Sequence, residues 1–273
     1  MATDIQPALM PKISIVTPSF NQGTFIEETI KSILSQNYPA LEYIIIDGGS
    51  TDGSVDIIRR YESELTSWVS ESDTGFGHAI NKGFARSTGE ILGWVNSDDL
   101  LLPGALEFIG KYFQKYEETG LIFGNRYVID ASSAISLKRD YVFYLPGQFK
   151  FAKTLPQEST FWRREVFVKA GPLDENLDFA VDFDLWCRIS KCARIRHVPF
   201  FLGAFRDQTG SKSANISHVG IEERDRIILK YFNHYPNKLM MKSFQGFLGI
   251  TRRLYRFAGL SILKRVFINH SIR

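Results

Sequence analysis

Glu90-Ile91-Leu92-Gly93-Trp94-Val95-Asn96-Ser97-Asp98-Asp99 decides the fold. Ile91 to Val95 is a short apolar run with no polar alternation, which a strand buried on both faces of a parallel sheet carries. Asn96 to Asp99 then puts two adjacent carboxylates just past the strand end. Carboxylates clustered there suit a divalent cation that takes one or two protein oxygens and leaves room for phosphates. Read alone, Ser97 or Asp98 serves equally well as the cap of the next turn.

Upstream, apolar runs alternate with helix-period segments, the pattern of a sheet wrapped by helices. Ile13 to Thr17, Tyr43 to Asp47 and Trp68 to Ser70 read as three earlier strands. A helix opens at Gly23-Thr24 with Thr24 and Glu27 as a capping box, and Ile26, Ile30, Ile33 and Leu34 share its apolar face. Further helices are predicted near Ser54, over Ala79 to Ala85, and after Pro103, the last with Leu106, Ile109 and Phe113 facing the core. Pro18 to Asn21, Asp47 to Asp52, Asp73 to His78 and Asn96 to Asp99 each follow a strand end, where parallel sheets bind ligands. Four such loops converging carry more weight than any one. The second half is less regular: Phe161 to Ala170 reads as a helix stopped by Gly171-Pro172, Asp182 to Ser190 as another, and Arg194 to Phe205 as extended.

The 273 residues, 44% hydrophobic and 14% aromatic, suffice for a full core and exclude a disordered chain. The net charge of +3 is unevenly spread. All 30 acidic residues lie at or before Asp225, and ten basic residues follow it with no acid, so residues 1–225 carry a net charge of −7. A basic tail on an acidic body implies an anionic partner for the tail. Phe244, Phe247, Leu248, Thr251, Leu254, Tyr255 and Ala258 space as one apolar stripe there. Arg252, Arg253, Arg256, Lys264 and Arg265 are interleaved with Leu254, Tyr255, Phe257 and Phe267, which suits an interfacial helix on anionic lipid better than a base-reading one; nucleic acid is disfavoured as a partner. A packed helical extension with a solvated basic face fits the same residues. Cys187 and Cys192 match neither a disulfide framework nor a metal knuckle, which points to a reducing compartment. With no leader-like segment in the first residues, a cytoplasmic protein is expected, peripheral on the inner face of the cell membrane.

The joint order of these motifs resembles the family 2 glycosyltransferases, whose fold is GT-A. The likeness runs over residues 12–206, through Ile13 to Asn21, Ser32-Ile33-Leu34-Ser35-Gln36-Asn37-Tyr38-Pro39, Ile45 to Ser54, Asp73-Thr74-Gly75, Asn81-Lys82-Gly83, Ser87-Thr88-Gly89-Glu90, the acidic turn, and Asp182-Phe183-Asp184-Leu185-Trp186-Cys187-Arg188. It implies an α/β fold, Rossmann-like, with a mostly parallel sheet flanked by helices and a C-terminal helical extension. Residues 1–225 would form the catalytic domain, with a nucleotide-sugar half at 12–115 and an acceptor half at 116–225; residues 226–273 would form the tail.

By the same resemblance Pro18, Ser19, Asn21, Asp47, Asp52, Asp73, Asn81, Lys82 and Asn96 surround the donor, a nucleotide-diphosphate sugar with uridine the favoured base. Asp98 is the first choice for a Mg²⁺ or Mn²⁺ ligand, with Asp99 beside it. Asp182 matches the catalytic base of inverting members. Helical geometry separates it from Asp184, which points about 200° away and can pair with Arg188 at i,i+4. Asp182 is also suited to capping its own helix. Asn96 stands at the first position of the family's D-x-D motif and keeps an oxygen donor without the charge. Gly48 replaces an acid that contacts uracil in some members, and His78 replaces an Asp common in related sequences. Lys82 and Arg86 can offset diphosphate charge or simply face solvent. His197 and His218 are candidates for a third metal ligand by position only.

The implied reaction is inverting transfer of a hexosyl-type group to a hydroxyl on a saccharide or lipid-linked acceptor, in surface polysaccharide or glycolipid synthesis. The rival class is an adaptor that binds membrane or nucleic acid through the tail.

Overall fold

The structure is a computed structural model and describes residues 10–141, 143–208, 217–233 and 235–267. Its first half follows the sequence pattern closely. Strands β1 (Ile13–Ser19), β2 (Leu41–Asp47), β3 (Ser67–Ser70) and β4 (Ile91–Trp94) pair in parallel in the order β3-β2-β1-β4. Helices α1 (Ile26–Leu34), α2 (Ser54–Arg60) and α3 (Phe76–Arg86) make the crossovers that parallel pairing requires.

β1 shows why the strands read as continuous apolar runs. Ile13 and Ile15 enter one core layer with α1, α2 and α4 (Ala105–Lys115), while Val16 enters the other with α3 and α6 (Val181–Ile189). The sheet is therefore buried on both faces. In the second layer Trp94 stacks on Trp186 of α6 at 5.7 Å and 9°, and Trp162 lies edge-on to both at 5.5 and 5.2 Å. Each indole is buried, and such rings contribute about 0.5–1.5 kcal/mol per pair beyond area burial.

Beyond β4 the sheet is mixed rather than mostly parallel. β8 (Thr160–Arg163) pairs antiparallel with both β4 and β6 (Leu121–Ile129). β6 pairs in parallel with β9 (Ile195–Arg206) and antiparallel with β7 (Ile135–Arg139), and β5 (Leu100–Leu101) closes the other side of β9. The helix expected over Phe161 to Ala170 is thus a strand running into a helix, α5 (Arg164–Ala170). Phe161 and Trp162 are buried between two partner strands, a placement that periodicity cannot distinguish from a helix face.

The capping box of α1 is not formed. Phe25 is the N-cap residue with no side-chain cap, and Glu27 instead bonds Tyr61 and pairs with Lys31. The boundary expected at residue 225 falls inside α7 (Ser217–Phe232), whose Ile227 and Ile228 are buried in the same core layer as Trp94. The last helix is α8 (Lys238–Phe267). There Leu239, Met240, Phe247 and Ile250 are exposed and Phe244 stacks on Phe151 at 4.0 Å. The side chains of Arg252 and of residues 254–273, including the rest of the expected stripe and basic face, lie outside those described. Among the described residues no helix is long and apolar enough to cross a membrane.

Candidate active site

The loops after β1 and β2 lace together. The Gly48 N–H donates to the Ser19 carbonyl at 2.8 Å, the Asn21 N–H to Ser50 Oγ at 2.8 Å, the Thr51 N–H to Asn21 Oδ1 at 3.0 Å, and the Gly23 N–H to Asp52 Oδ2 at 2.8 Å. Asn21 adopts a left-handed φ of 51°, which an Asx side chain tolerates. Asp47 is fully buried and folds its own loop: it accepts the Gly49 and Ser50 N–H groups at 3.1 and 2.9 Å and the Ser50 and Ser70 hydroxyls at 2.5 and 2.7 Å. It stands beneath the loop and does not front it. Burial would raise the Asp52 carboxyl, but hydrogen bonds from Ser54 and Gly23 leave it below the usual range. Pro18 and Ser19 are buried in β1, while their neighbour Phe20 is 61% exposed.

Gly48 has a steric reason. A Cβ there would lie 2.8 Å from Asp73 Oδ2 and 3.3 Å from the Phe20 ring. The space an acid at 48 would need is already filled by the carboxylate of Asp73, which also accepts the Gly75 N–H at 2.9 Å.

The acidic turn separates its two carboxylates. Asp99 is 1% exposed; its Oδ1 accepts the Arg206 N–H at 2.9 Å and its Oδ2 the Asn96 amide at 3.0 Å. Burial, then Asp98 and Glu158, push its carboxyl well up. Asp99 thus anchors the turn inward. Asp98 accepts from Gln208 Nε2 at 3.2 Å, and burial pushes its carboxyl up as well. The hub beneath is Arg206, fully buried, donating to the Asp98 carbonyl at 2.8 Å, the Asp130 carbonyl at 2.9 Å, Ser133 Oγ at 2.9 Å and Glu28 at 2.7 Å.

Asn96 Oδ1 is buried with no hydrogen-bond partner, and among the described residues no group of three acids, histidines or cysteines could hold a metal ion. The half-buried Asp98 carboxylate and an orphaned amide oxygen fit a hard cation whose remaining ligands are phosphate and water. His197 does not extend this set. It bonds Asn125 Oδ1 at 3.0 Å on β9, with β8 and β6 between that strand and β4. His218 is exposed on the first turn of α7.

Asp182 and Asp184 occupy the same helix start in different roles. Asp184 is buried, bonded to Arg188 Nε at 2.8 Å and the Tyr231 hydroxyl at 2.9 Å. Asp182 is half-buried and accepts its neighbour's N–H, from Phe183, at 2.7 Å and the Thr154 hydroxyl at 3.4 Å. It does not cap α6, whose N-cap is Ala180. Burial raises its carboxyl to about 6, against opposing hydrogen bonds and the charge of Arg224. The Trp94–Trp186 stack sets α6 beside the strand that ends in the acidic turn.

Three expected site residues have other partners. Asn81 is committed to the 173–175 loop, donating to the Leu173 carbonyl and Glu175 and accepting the Leu173 N–H. Lys82 is ion-paired with Glu71. His78 lies 3.5 Å from the Thr74 N–H, at the outer limit of a hydrogen bond.

Sequence reading missed Arg206, Gln208, Glu158 and Thr154, none of which carries a local signal. A cavity of about 860 Å³ lies at the opposite end of the strands, lined by Pro11, Thr88, Arg163, Arg164 and Val168. Its arginines are tied to the carbonyls of Phe113, Thr119 and Gly89, so it is not the site.

A half-parallel sheet wrapped by helices, with an acidic turn at the end of its fourth strand, is the architecture of a GT-A glycosyltransferase. Two solved structures share the fold: TarS of S. aureus in complex with UDP-GlcNAc (TM-score 0.61, 16% identity, 81% of this chain and 72% of that one), and the mannosyltransferase PcManGT of Pyrobaculum calidifontis in complex with GDP-Man and Mn²⁺ (TM-score 0.61, 18% identity, 98% and 79%). Residues 14–171 match glycosyl transferase family 2, and the chain belongs to that family. Among curated relatives, an uncharacterised glycosyltransferase of Nostoc sp. is 30% identical over 174 residues, 60% of this chain and 54% of that protein. Chondroitin synthase of Escherichia coli is 26% identical over 192 residues, 69% of this chain and 28% of that protein. The chain therefore spans about half or less of the length of these two relatives.

Proposed function

We propose that the protein is an inverting, metal-dependent glycosyltransferase that moves a hexosyl-type group from a nucleotide-diphosphate sugar to a hydroxyl of a saccharide or lipid-linked acceptor. The observation that carries this reading is Asp182: a half-buried carboxylate, raised to about 6, with only a 3.4 Å side-chain contact to hold it. A base with its pKa near neutrality takes a proton without being paired away.

Asp182 accepts the proton of the acceptor hydroxyl as that oxygen forms its bond to the anomeric carbon. The bond from that carbon to the diphosphate oxygen breaks, and its electron pair leaves with the nucleotide. Asp98, together with the amide oxygen of Asn96, would hold Mg²⁺ or Mn²⁺, which when bound offsets the charge on the departing diphosphate. Uridine remains our choice of base, supported by the resemblance of the strand-end loops; the solved relatives include both a UDP-GlcNAc and a GDP-Man complex. A role in surface polysaccharide synthesis rests on relatives such as chondroitin synthase. Asp182→Asn tests the mechanism: turnover should collapse with donor binding retained, and unchanged turnover would sink it.

The tail supports a location on the inner face of the cell membrane, with α8 exposing Leu239, Met240, Phe247 and Ile250 in a segment free of acids. Co-sedimentation with phosphatidylserine-containing vesicles should be lost on truncation after Asn237. Equal binding by the truncated chain refutes the tail as anchor.

A further inference from the structure

The chain entering α6 is held by a residue from outside the stretch that matches the family. Glu223, on α7, is 2% exposed, and its carboxylate accepts three consecutive backbone N–H groups: Asp178 at 2.8 Å, Phe179 at 2.9 Å and Ala180 at 2.7 Å. The N–H groups around a helix start have no intrahelical acceptor, and no side chain within α6 caps this one. A carboxylate there gains both the hydrogen bonds and the favourable end of the helix dipole. Gly220, three residues earlier on α7, lies against the same chain: a Cβ at that position would run into the Phe179 ring. The two contacts grip one segment, and Asp182 stands two residues beyond it.

We propose that Glu223 is a positioning residue for Asp182: by pinning Asp178 to Ala180 from α7, it fixes where the catalytic carboxylate stands. The inference rests on Asp182 being the base. Its logic is mechanical. Asp184 is anchored independently by Arg188 and Tyr231, so release of the entering chain frees the first turn of α6 and leaves the rest docked. Among the described residues, Asp182 is held by the Thr154 hydroxyl and its own neighbour's N–H.

The charged and titratable groups around Asp182 are Arg224 on α7 and Cys187 on its own helix, with the Thr154 hydroxyl from the facing loop. Freeing the first turn of α6 admits water around Asp182, and relief of its burial lowers the pKa. The acid limb of the rate profile should therefore move to lower pH.

The test uses the full chain with Mn²⁺ and whichever UDP- or GDP-sugar of a panel the enzyme hydrolyses. Glu223→Gln and Glu223→Ala should lower kcat about 10–100-fold, the order expected from displacing a catalytic group by about 1 Å. Donor KM should stay within about twofold, and the acid limb should shift down. In hydrogen exchange, protection should fall at residues 178–183 and hold at 184–189. An unmoved acid limb and kcat in both variants, with Asp182→Asn inactive, overturns the inference alone, as does uniform loss of protection across the protein. An active Asp182→Asn overturns the base assignment itself.

Discussion

Glu42, at the start of β2, and the carboxylates of the acidic turn and of α6 are all subject to burial and shift in opposite directions. Where β1, β2 and β4 begin, Glu42 is 3% exposed and accepts from Ser14 Oγ at 2.5 Å, the Thr88 N–H at 2.6 Å, Thr88 Oγ1 at 2.8 Å and the Gly89 N–H at 3.3 Å, with Lys12 3.4 Å away. Burial would raise this carboxyl, but those partners drive it down to about 2. Past the end of β4, Asp98 and Asp99, and on the first turn of α6, Asp182, are pushed up by burial, with fewer donors to oppose it. Burial is common to all of them; the count of donors differs. Glu42 holds the chain together, as Asp47 and Asp52 do in the strand-end loops, while Asp98 and Asp182 are left poised for chemistry.

The sharpest way to break this contrast is to exchange the effects. Asp182→Asn should cost ~10²–10⁴ in turnover, about 3–5 kcal/mol of barrier, while leaving the melting temperature at pH 7 unchanged or slightly higher, since it removes an under-solvated charge. Glu42→Ala should do the reverse. It strands several buried donors and should destabilise the fold by about 2–4 kcal/mol, a fall of roughly 4–16 °C in melting temperature, with kcat at 25 °C within about twofold of the parent. A Glu42 variant that loses turnover while still folded would erase the division of labour.

Asp98→Asn should weaken Mn²⁺-dependent donor binding about 10–100-fold by calorimetry, with little effect in EDTA. Normal affinity in the presence of metal would remove Asp98 from the ligand set.

The smallest effect per step is in pH. Asp182 must be ionised to act, so kcat should fall about tenfold for each unit below about 6. Glu42 is lowered in the folded state, so its stabilisation is complete above the unfolded value of 4.5 and is lost as pH falls toward about 2. Between about pH 4.5 and 6 the protein should stay folded while its activity declines. Parallel stability and rate curves would contradict the comparison.

The parallel half was legible because strands buried on both faces, punctuated by Pro18, Gly48-Gly49 and Gly89, have few alternative readings. β6 was not, since Gly124-Asn125-Arg126 interrupts its apolar run, and β7 is exposed along its whole length and offers no pattern. Site legibility stopped at orientation. Sequence put Asp47 and Asp99 at strand ends and Asn81 within a helix, but whether each faces inward depends on donors supplied from elsewhere: Ser70 for Asp47, Leu173 for Asn81 and Arg206 for Asp99. Arg206 lies 107 residues from Asp99 in sequence, a separation over which no local pattern speaks. Asp182 and Asp184 were separable because helical geometry alone aims them apart.

The aromatic contact between β4 and α6 makes the molecule its own optical gauge. Three of its four indoles are buried within 5.2–5.7 Å of one another, close enough for their excited states to couple, while Trp68 stands apart on β3. Lifting α6 by even one turn would uncouple Trp186 from the other two, so emission from the native tryptophans reports the docking of the helix that carries Asp182, without any added label.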